Sequence, residues 1–188
     1  MPFEGYEACF KLKPPMFSPY EEVPYESESF PETHPGRLAT IGMFFGMSPK
    51  PIASARILEL GCAAGNNIIP MALSLPGSKF VGVDRTESAI TIGSALVREL
   101  GLENIELLVR DFSEMGNELG QFDYIIAHGV FSWVPAEIQE KVLSLCGDLL
   151  APEGIAYVSY NAYPGWHIRQ LMRDLLLFGS KGATDPVG

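Results

Sequence analysis

Residues 61–65, Gly-Cys-Ala-Ala-Gly, follow an apolar run over 56–60 and precede a helical pattern, so small residues sit where a buried strand meets a helix. Gly61 and Gly65 lack a Cβ and accept positive φ, which lets the chain turn sharply and lets a ligand lie on bare backbone. Nineteen positions beyond Gly65, a second apolar run over 79–84 ends in Asp84. A carboxylate at such a strand end is suited to accepting from both hydroxyls of a ribose. Together the two strand ends describe a site for an adenosine-containing ligand.

Three more strand ends carry polar or glycine residues: Asp111-Phe112, His128-Gly129 and Tyr160-Asn161. Five such ends converging on one edge is a far more specific signal than a lone G-x-x-x-G. The elements that must position them alternate along the chain. The patterns predict strands over 56–60, 79–83, 105–110, 122–127 and 155–160, with helices over 66–75, 87–100, 135–150 and 167–178. Apolar residues recur at helical spacing, as in Ala89, Ile92, Leu96 and Leu100, or Ile138, Val142, Leu145 and Leu149. Strand-helix alternation predicts an α/β doubly wound parallel sheet with right-handed crossovers. Ligands of such sheets sit at the carboxyl ends of the strands, at the switch in strand order, which falls here between the first strand and the fourth.

The chain of 188 residues is long enough for one domain, and no apolar run reaches the roughly 20 residues of a membrane span. The N-terminal sequence lacks the basic and apolar regions of a signal peptide, so the expected location is cytoplasmic. Cys9, Cys62 and Cys146 are widely spaced and without CxxC or His partners, which predicts free thiols and no metal site. A net charge of −10 without a Lys/Arg cluster disfavours nucleic acid and would attract a cationic partner.

Nine of the fifteen prolines precede position 52, and residues 1–32 hold seven glutamates against two lysines, so this stretch is expected to be an extended arm. It also holds Tyr6, Phe10, Phe17, Tyr20, Tyr25 and Phe30, too many aromatics for a solvated tail. It should therefore lie across the domain, with Tyr20, Tyr25 and Phe30 as a lid at the cofactor mouth. Thr33 is expected to cap a helix begun by Pro35, with Leu38, Ile41 and Phe45 on one face.

Residues Ile57-Leu58-Glu59-Leu60-Gly61-Cys62-Ala63-Ala64-Gly65, Val83-Asp84, Asp111-Phe112 and Phe122-Asp123-Tyr124-Ile125-Ile126 resemble the ordered motifs of class I S-adenosylmethionine-dependent methyltransferases. Thr33-His34-Pro35, the run from His128 to Pro135 and the run from Tyr157 to His167 resemble a bacterial branch of that family. In that branch a methyltransferase regulatory domain follows the catalytic one, and some members methylate protein lysines. The resemblance implies a Rossmann-like sheet of strand order 3-2-1-4-5 over residues 33–188, with S-adenosylmethionine as cofactor. Gly61, Cys62, Ala63 and Gly65 would back onto its methionine part, with Glu59 near the ammonium. Asp84 would hold the ribose, Asp111 would accept from the adenine amine, and Phe112 and Arg85 would flank the ring. The transfer site is expected to hold Tyr160, Asn161, His128 and Trp133, with His128 also beside the cofactor.

Two departures stand out. Ala63 occupies the position of the usual middle glycine, and only ten residues follow Phe178, leaving no room for the sixth and seventh strands that normally close the sheet. The fifth strand would then be an unprotected edge, and a symmetric dimer covering it or the last helix is expected. Blander roles remain beside the chemical ones. Asp84 and Asp111 can serve local caps with Thr86 and Ser113, His128 can be a satisfied buried histidine, Trp133 and Trp166 can be core or lid residues, and Cys62 can be a small buried residue.

Methyl transfer from a sulfonium needs in-line positioning and exclusion of water. A lysine acceptor must also lose its proton, which an aromatic, partly desolvated channel favours while tolerating the methylated cation. Tyr160, Tyr163, Trp133 and Trp166 are the candidates for that channel, with Asn161 orienting the nitrogen. A non-catalytic S-adenosylmethionine-binding module is the alternative of a different class. A nicotinamide-dependent dehydrogenase fits less well, because G-x-G-x-x-G placed from Gly61 needs glycines at Ala63 and Asn66.

Overall fold

The computed structural model describes residues 28–179, and Tyr6, Phe10, Phe17, Tyr20, Tyr25 and Cys9 lie outside them. Strands β1 (Arg56–Leu60), β2 (Lys79–Asp84), β3 (Ile105–Val109), β4 (Phe122–Ala127) and β5 (Leu150–Val158) form one parallel sheet in the order β3-β2-β1-β4-β5. The helices are α1 (Pro35–Phe44), α2 (Ile68–Ser74), α3 (Glu87–Glu99), α4 (Ala136–Leu149) and α5 (His167–Gly179). This is the expected Rossmann-like order, and the switch lies between β1 and β4.

Apart from Glu59, the buried part of β1 is apolar because both of its faces are covered. Ile57 packs with Leu38 and Ala39 of α1, Ile68 and Met71 of α2, and Ile90 and Val97 of α3 on one face. Leu58 and Leu60 pack with Val142, Leu145 and Leu149 of α4 on the other. The opposite end of the sheet is fastened by polar contacts. The Arg56 guanidinium donates to the carbonyls of Gln121 at 2.8 Å and Leu119 at 3.0 Å, and the Tyr124 hydroxyl donates to the Lys50 carbonyl at 2.6 Å.

Several local expectations need correction. α1 is capped by His34, whose Nδ1 accepts from the Gly36 N–H at 3.1 Å, and not by Thr33. Thr33 instead ends a 3-10 turn over Pro31–Thr33 and turns its hydroxyl inward. α1 buries Leu38 but leaves Ile41 and Phe45 exposed, its covered face being Pro35, Leu38, Ala39 and Gly42. β5 begins at Leu150, directly after α4, so Ile155 is its middle and Tyr160 lies beyond its end. α3 presents Ile90, Gly93 and Val97 to the sheet, while Ile92, Leu96 and Leu100 face outward.

That last correction has a steric cause. A Cβ on Gly93 would stand 2.4 Å from the Ala64 carbonyl oxygen, so α3 lies against the 61–65 loop only because this residue has no side chain. The face that meets the loop therefore carries little apolar signal.

β4 covers one edge of β5, and among the described residues no strand pairs with the other. α5 exposes Ile168, Leu171, Met172, Leu175, Leu176 and Phe178. Among the described residues no helix is long and apolar enough to cross a membrane.

The orientation of α3 is tested by paired truncations. Ile90, only 5% exposed, should cost about 2–4 kcal/mol of unfolding free energy when changed to Ala. Ile92, 63% exposed, should change it by no more than about 0.5 kcal/mol. Urea unfolding of the two variants checks this, and the reverse ranking would return α3 to the predicted face.

Candidate cofactor and transfer site

The loop after β1 is folded back onto the end of β2. The Gly61 and Cys62 N–H groups both donate to the Val83 carbonyl, at 2.8 and 3.1 Å, and the Gly65 N–H donates to the Cys62 carbonyl at 2.8 Å. These turns need φ of +77° at Gly61 and +80° at Gly65. A Cβ on Gly61 would fall 2.3 Å from Val130 Cγ2, so the close approach of the loop after β4 also requires glycine. Ala63 adopts φ +47°, a left-handed conformation that is unfavourable for a residue with a Cβ.

Asp84 holds this loop to the start of α3. Its Oδ2 accepts from the Ala63 N–H and its Oδ1 from the Thr86 N–H, each at 2.9 Å. An ionised carboxylate has about four acceptor positions, so these bonds leave acceptor capacity for two ribose hydroxyls. The local role and the ligand role are thus compatible. Cys62 is buried, and its thiol is pushed far above its ordinary value by burial and then by Glu59 and Asp84. It is a small buried residue, inert as a nucleophile.

Glu59 is 3% exposed, on the central strand beneath the loop. Its Oε1 accepts from Asn67 Nδ2 at 2.6 Å, and among the described residues its Oε2 is buried with no partner. Burial pushes its carboxyl up to about 7, against the Asn67 hydrogen bond and with help from the Asp84 charge. An unpaired carboxylate oxygen in such a place is suited to a cationic group.

Asp111 caps the 3-10 turn Phe112–Glu114, and its Oδ1 accepts from both the Ser113 N–H at 2.9 Å and the Ser113 hydroxyl at 2.7 Å. These bonds hold it below the usual carboxylate range, with a smaller contribution from Arg85. The capping role is therefore realised, and Oδ2 is left over for a donor such as the adenine amine. The Phe112 ring reaches to 3.9 Å from where a Gly61 Cβ would be, while Arg85 is exposed beside the same strand end.

At the ends of β4 and β5, His128 lies between the rings of Phe30, 4.0 Å away, and Tyr157, 6.0 Å away. Among the described residues its Nδ1 is buried without a partner, and desolvation lowers its pKa against the influence of Glu32. The following loop is stitched to the one after β5: Gly129 N–H donates to Ser159 Oγ at 2.8 Å, and Asn161 N–H donates to Ser132 Oγ at 2.7 Å. Trp133 meets Trp166 edge to face at 5.5 Å, and Tyr163 leans on His167 at 4.6 Å. Trp133 is 54% exposed and Tyr160 69%. Among the described residues the candidate channel aromatics form an open wall on two joined loops.

Sequence reasoning did not single out Asn67, which is 2% exposed and contacts both Glu59 and the 30–33 segment. Its only sequence signal is an Asn at the start of α2 directly after the glycine loop.

A positive-φ loop at the switch of a 3-2-1-4-5 sheet, flanked by Glu59 and Asp84, is the layout of the class I S-adenosylmethionine-dependent methyltransferase fold. The family model described as "Methyltransferase domain" matches residues 53–177, more than half the chain, and the chain belongs to that family. Over 89% of its length it is 44% identical to protein RP789 of Rickettsia prowazekii, spanning 30% of that protein. Over 86% it is 40% identical to RP028 of the same organism, spanning 65% of it. It superposes on PKMT2 from Rickettsia typhi, solved in complex with AdoHcy, with a TM-score of 0.80 and 37% identity, covering 86% of this chain and 31% of that one.

The buried Glu59 makes stability depend on pH. Its folded-state value of about 7 lies above the ordinary 4.5, so its contribution is fully present below pH 4.5 and is lost as pH rises through about 7. Unfolding free energy of the unliganded chain should therefore fall between about pH 5 and 7, and Glu59→Gln should abolish that part of the slope. A slope unchanged by the substitution would place the titration elsewhere.

Proposed function

We propose that this chain binds S-adenosylmethionine across residues 61–65 and transfers its methyl group to an amine, the side chain of a protein lysine. The observation that carries the reading is the pair of carboxylates around the positive-φ loop: Asp84 with spare acceptor capacity, and Glu59 with a buried, partnerless Oε2. The two fit the two polar ends of that molecule, hydroxyls at the ribose and an ammonium at the methionine.

S-adenosylmethionine, when bound, supplies an electrophilic methyl on a sulfonium. The tasks left to the chain are orientation, exclusion of water and removal of charge from the incoming amine. Glu59, Asp84 and Asp111 orient the cofactor at three strand ends, with Phe112 and Arg85 flanking the adenine. His128, held between Phe30 and Tyr157, presents an unpartnered Nδ1 at the end of β4 and is suited to accept an N–H of the incoming ammonium. Tyr160, Trp133 and Asn161 form the wall beyond it. Aromatic faces there tolerate the methylated, still cationic product, while the desolvation that lowers a lysine pKa would come from the docked substrate closing over the wall. The similarity to PKMT2 and the acidic balance of the chain, −10 overall, support a basic protein substrate.

The open wall at Tyr160 and Trp133 favours one second reading, a module that binds cofactor without turnover. Calorimetry with AdoHcy and a methylation assay on lysine-rich protein separate the two. Binding should be measurable and Asp84→Ala should weaken it by about 1.5–3 kcal/mol. Methylated lysine should appear in the assay and, at limiting S-adenosylmethionine, should fall at least tenfold in the same variant. Unchanged affinity would remove Asp84 from the site, and tight binding without methylated lysine would leave the binding module.

A further inference from the structure

The structure assigns to Asn67 the role of a positioning residue: one buried amide that aims the Glu59 carboxylate at the cofactor crevice and locks the 30–33 segment across the end of β4. The assignment rests on the proposed function for what occupies the crevice, though not for the lock itself.

The amide holds three partners. Nδ2 donates to Glu59 Oε1 at 2.6 Å and to Thr33 Oγ1 at 3.0 Å, while Oδ1 accepts the Phe30 N–H at 2.9 Å. The Thr33 hydroxyl, as acceptor from Asn67, donates its own O–H to the Phe30 carbonyl at 2.8 Å. Two donors and one acceptor are thereby spent, and the amide cannot be flipped without setting an NH2 against the Phe30 N–H and an oxygen against Glu59. Asn67, Thr33 and Glu59 are 2%, 0% and 3% exposed, so no solvent replaces a lost bond.

The consequences run in two directions. Because Asn67 holds Oε1, the oxygen of Glu59 left unpartnered is Oε2. Because it also holds the Phe30 backbone, the Phe30 ring stays 4.0 Å from His128, on the side where an acceptor would sit. The cofactor side and the acceptor side are thereby joined through a single residue, 37 positions from Phe30 and 8 from Glu59. The titratable group acting on Glu59 is Asp84 from β2, and Glu59 in turn acts on the Cys62 thiol of the loop, whereas Glu32 acts on His128 and Tyr157.

Two measurements on the unliganded chain test this without requiring activity. In Asn67→Ala the Glu59 titration, followed by carbon NMR and assigned with Glu59→Gln, should move up by about one pH unit, because the hydrogen bond that favours the charged form is gone. The Phe30 amide should exchange with solvent at least tenfold faster, through loss of its acceptor. Asn67→Ser, smaller but still polar and unable to reach all three partners, should give the same two changes if the alanine variant does not fold. A Glu59 midpoint that stays put, or a Phe30 amide that stays protected, in a folded variant overturns the assignment. AdoHcy affinity completes the test: Asn67→Ala should weaken it, and adding Asn67→Ala to Glu59→Gln should weaken it no further than Glu59→Gln alone. Additive losses would overturn the claim that Asn67 acts through Glu59. Absence of AdoHcy binding by the unaltered chain would sink the proposed function and leave the lock decided by titration and exchange.

Discussion

A carboxylate buried at the end of the central strand is the constraint on which the rest of the site depends. Taking an ionised Glu59 out of water is expensive unless it is paired, and among the described residues a single neutral amide bonds one of its two oxygens. A core residue of that kind is a poor choice for stability alone. It becomes intelligible if the site is completed by a cation, since the same burial that disfavours the empty charged state makes the attraction for an ammonium strong.

Around that carboxylate the geometry is set by close approach. The loop over 61–65 is hung from the Val83 carbonyl and from Asp84, and α3 is drawn against it where Gly93 meets the Ala64 carbonyl. The loop after β4 approaches from the other side until Val130 touches Gly61. The crevice at the switch between β1 and β4 is thus built mainly of backbone. Its polar side chains arrive from strand ends, whose positions the sheet fixes rigidly.

Much of this was legible in the sequence. β1 and β2 stood out because a parallel strand covered on both faces must be apolar along its length, and Glu59 and Asp84 were conspicuous against that background. α4 was readable for the same reason, with Val142, Leu145 and Leu149 all facing the core. α3 was misread by two positions, since Ile92, Leu96 and Leu100 make a stronger apolar stripe than Ile90, Gly93 and Val97, whose middle member is a bare backbone contact. Thr33 looked like a cap because caps are local, whereas its true partner lies at Asn67, 34 residues away. Asn67 itself was invisible, since a polar residue at the start of a helix is ordinary until its distant partners are known. Asp111 carried two local meanings, and the structure satisfies the capping one while leaving an oxygen for the other.

The central claim is that Glu59 receives the cationic end of the cofactor, and the proton balance of binding tests it most directly. Calorimetry with AdoHcy at pH 7, repeated in buffers of different ionisation enthalpy, counts protons exchanged on binding. A group with a value of about 7 is roughly half protonated there, so pairing it with an ammonium should release about half a proton per AdoHcy bound. That release should disappear in Glu59→Gln. Binding with no net proton exchange, or with the same exchange in the variant, would contradict the account.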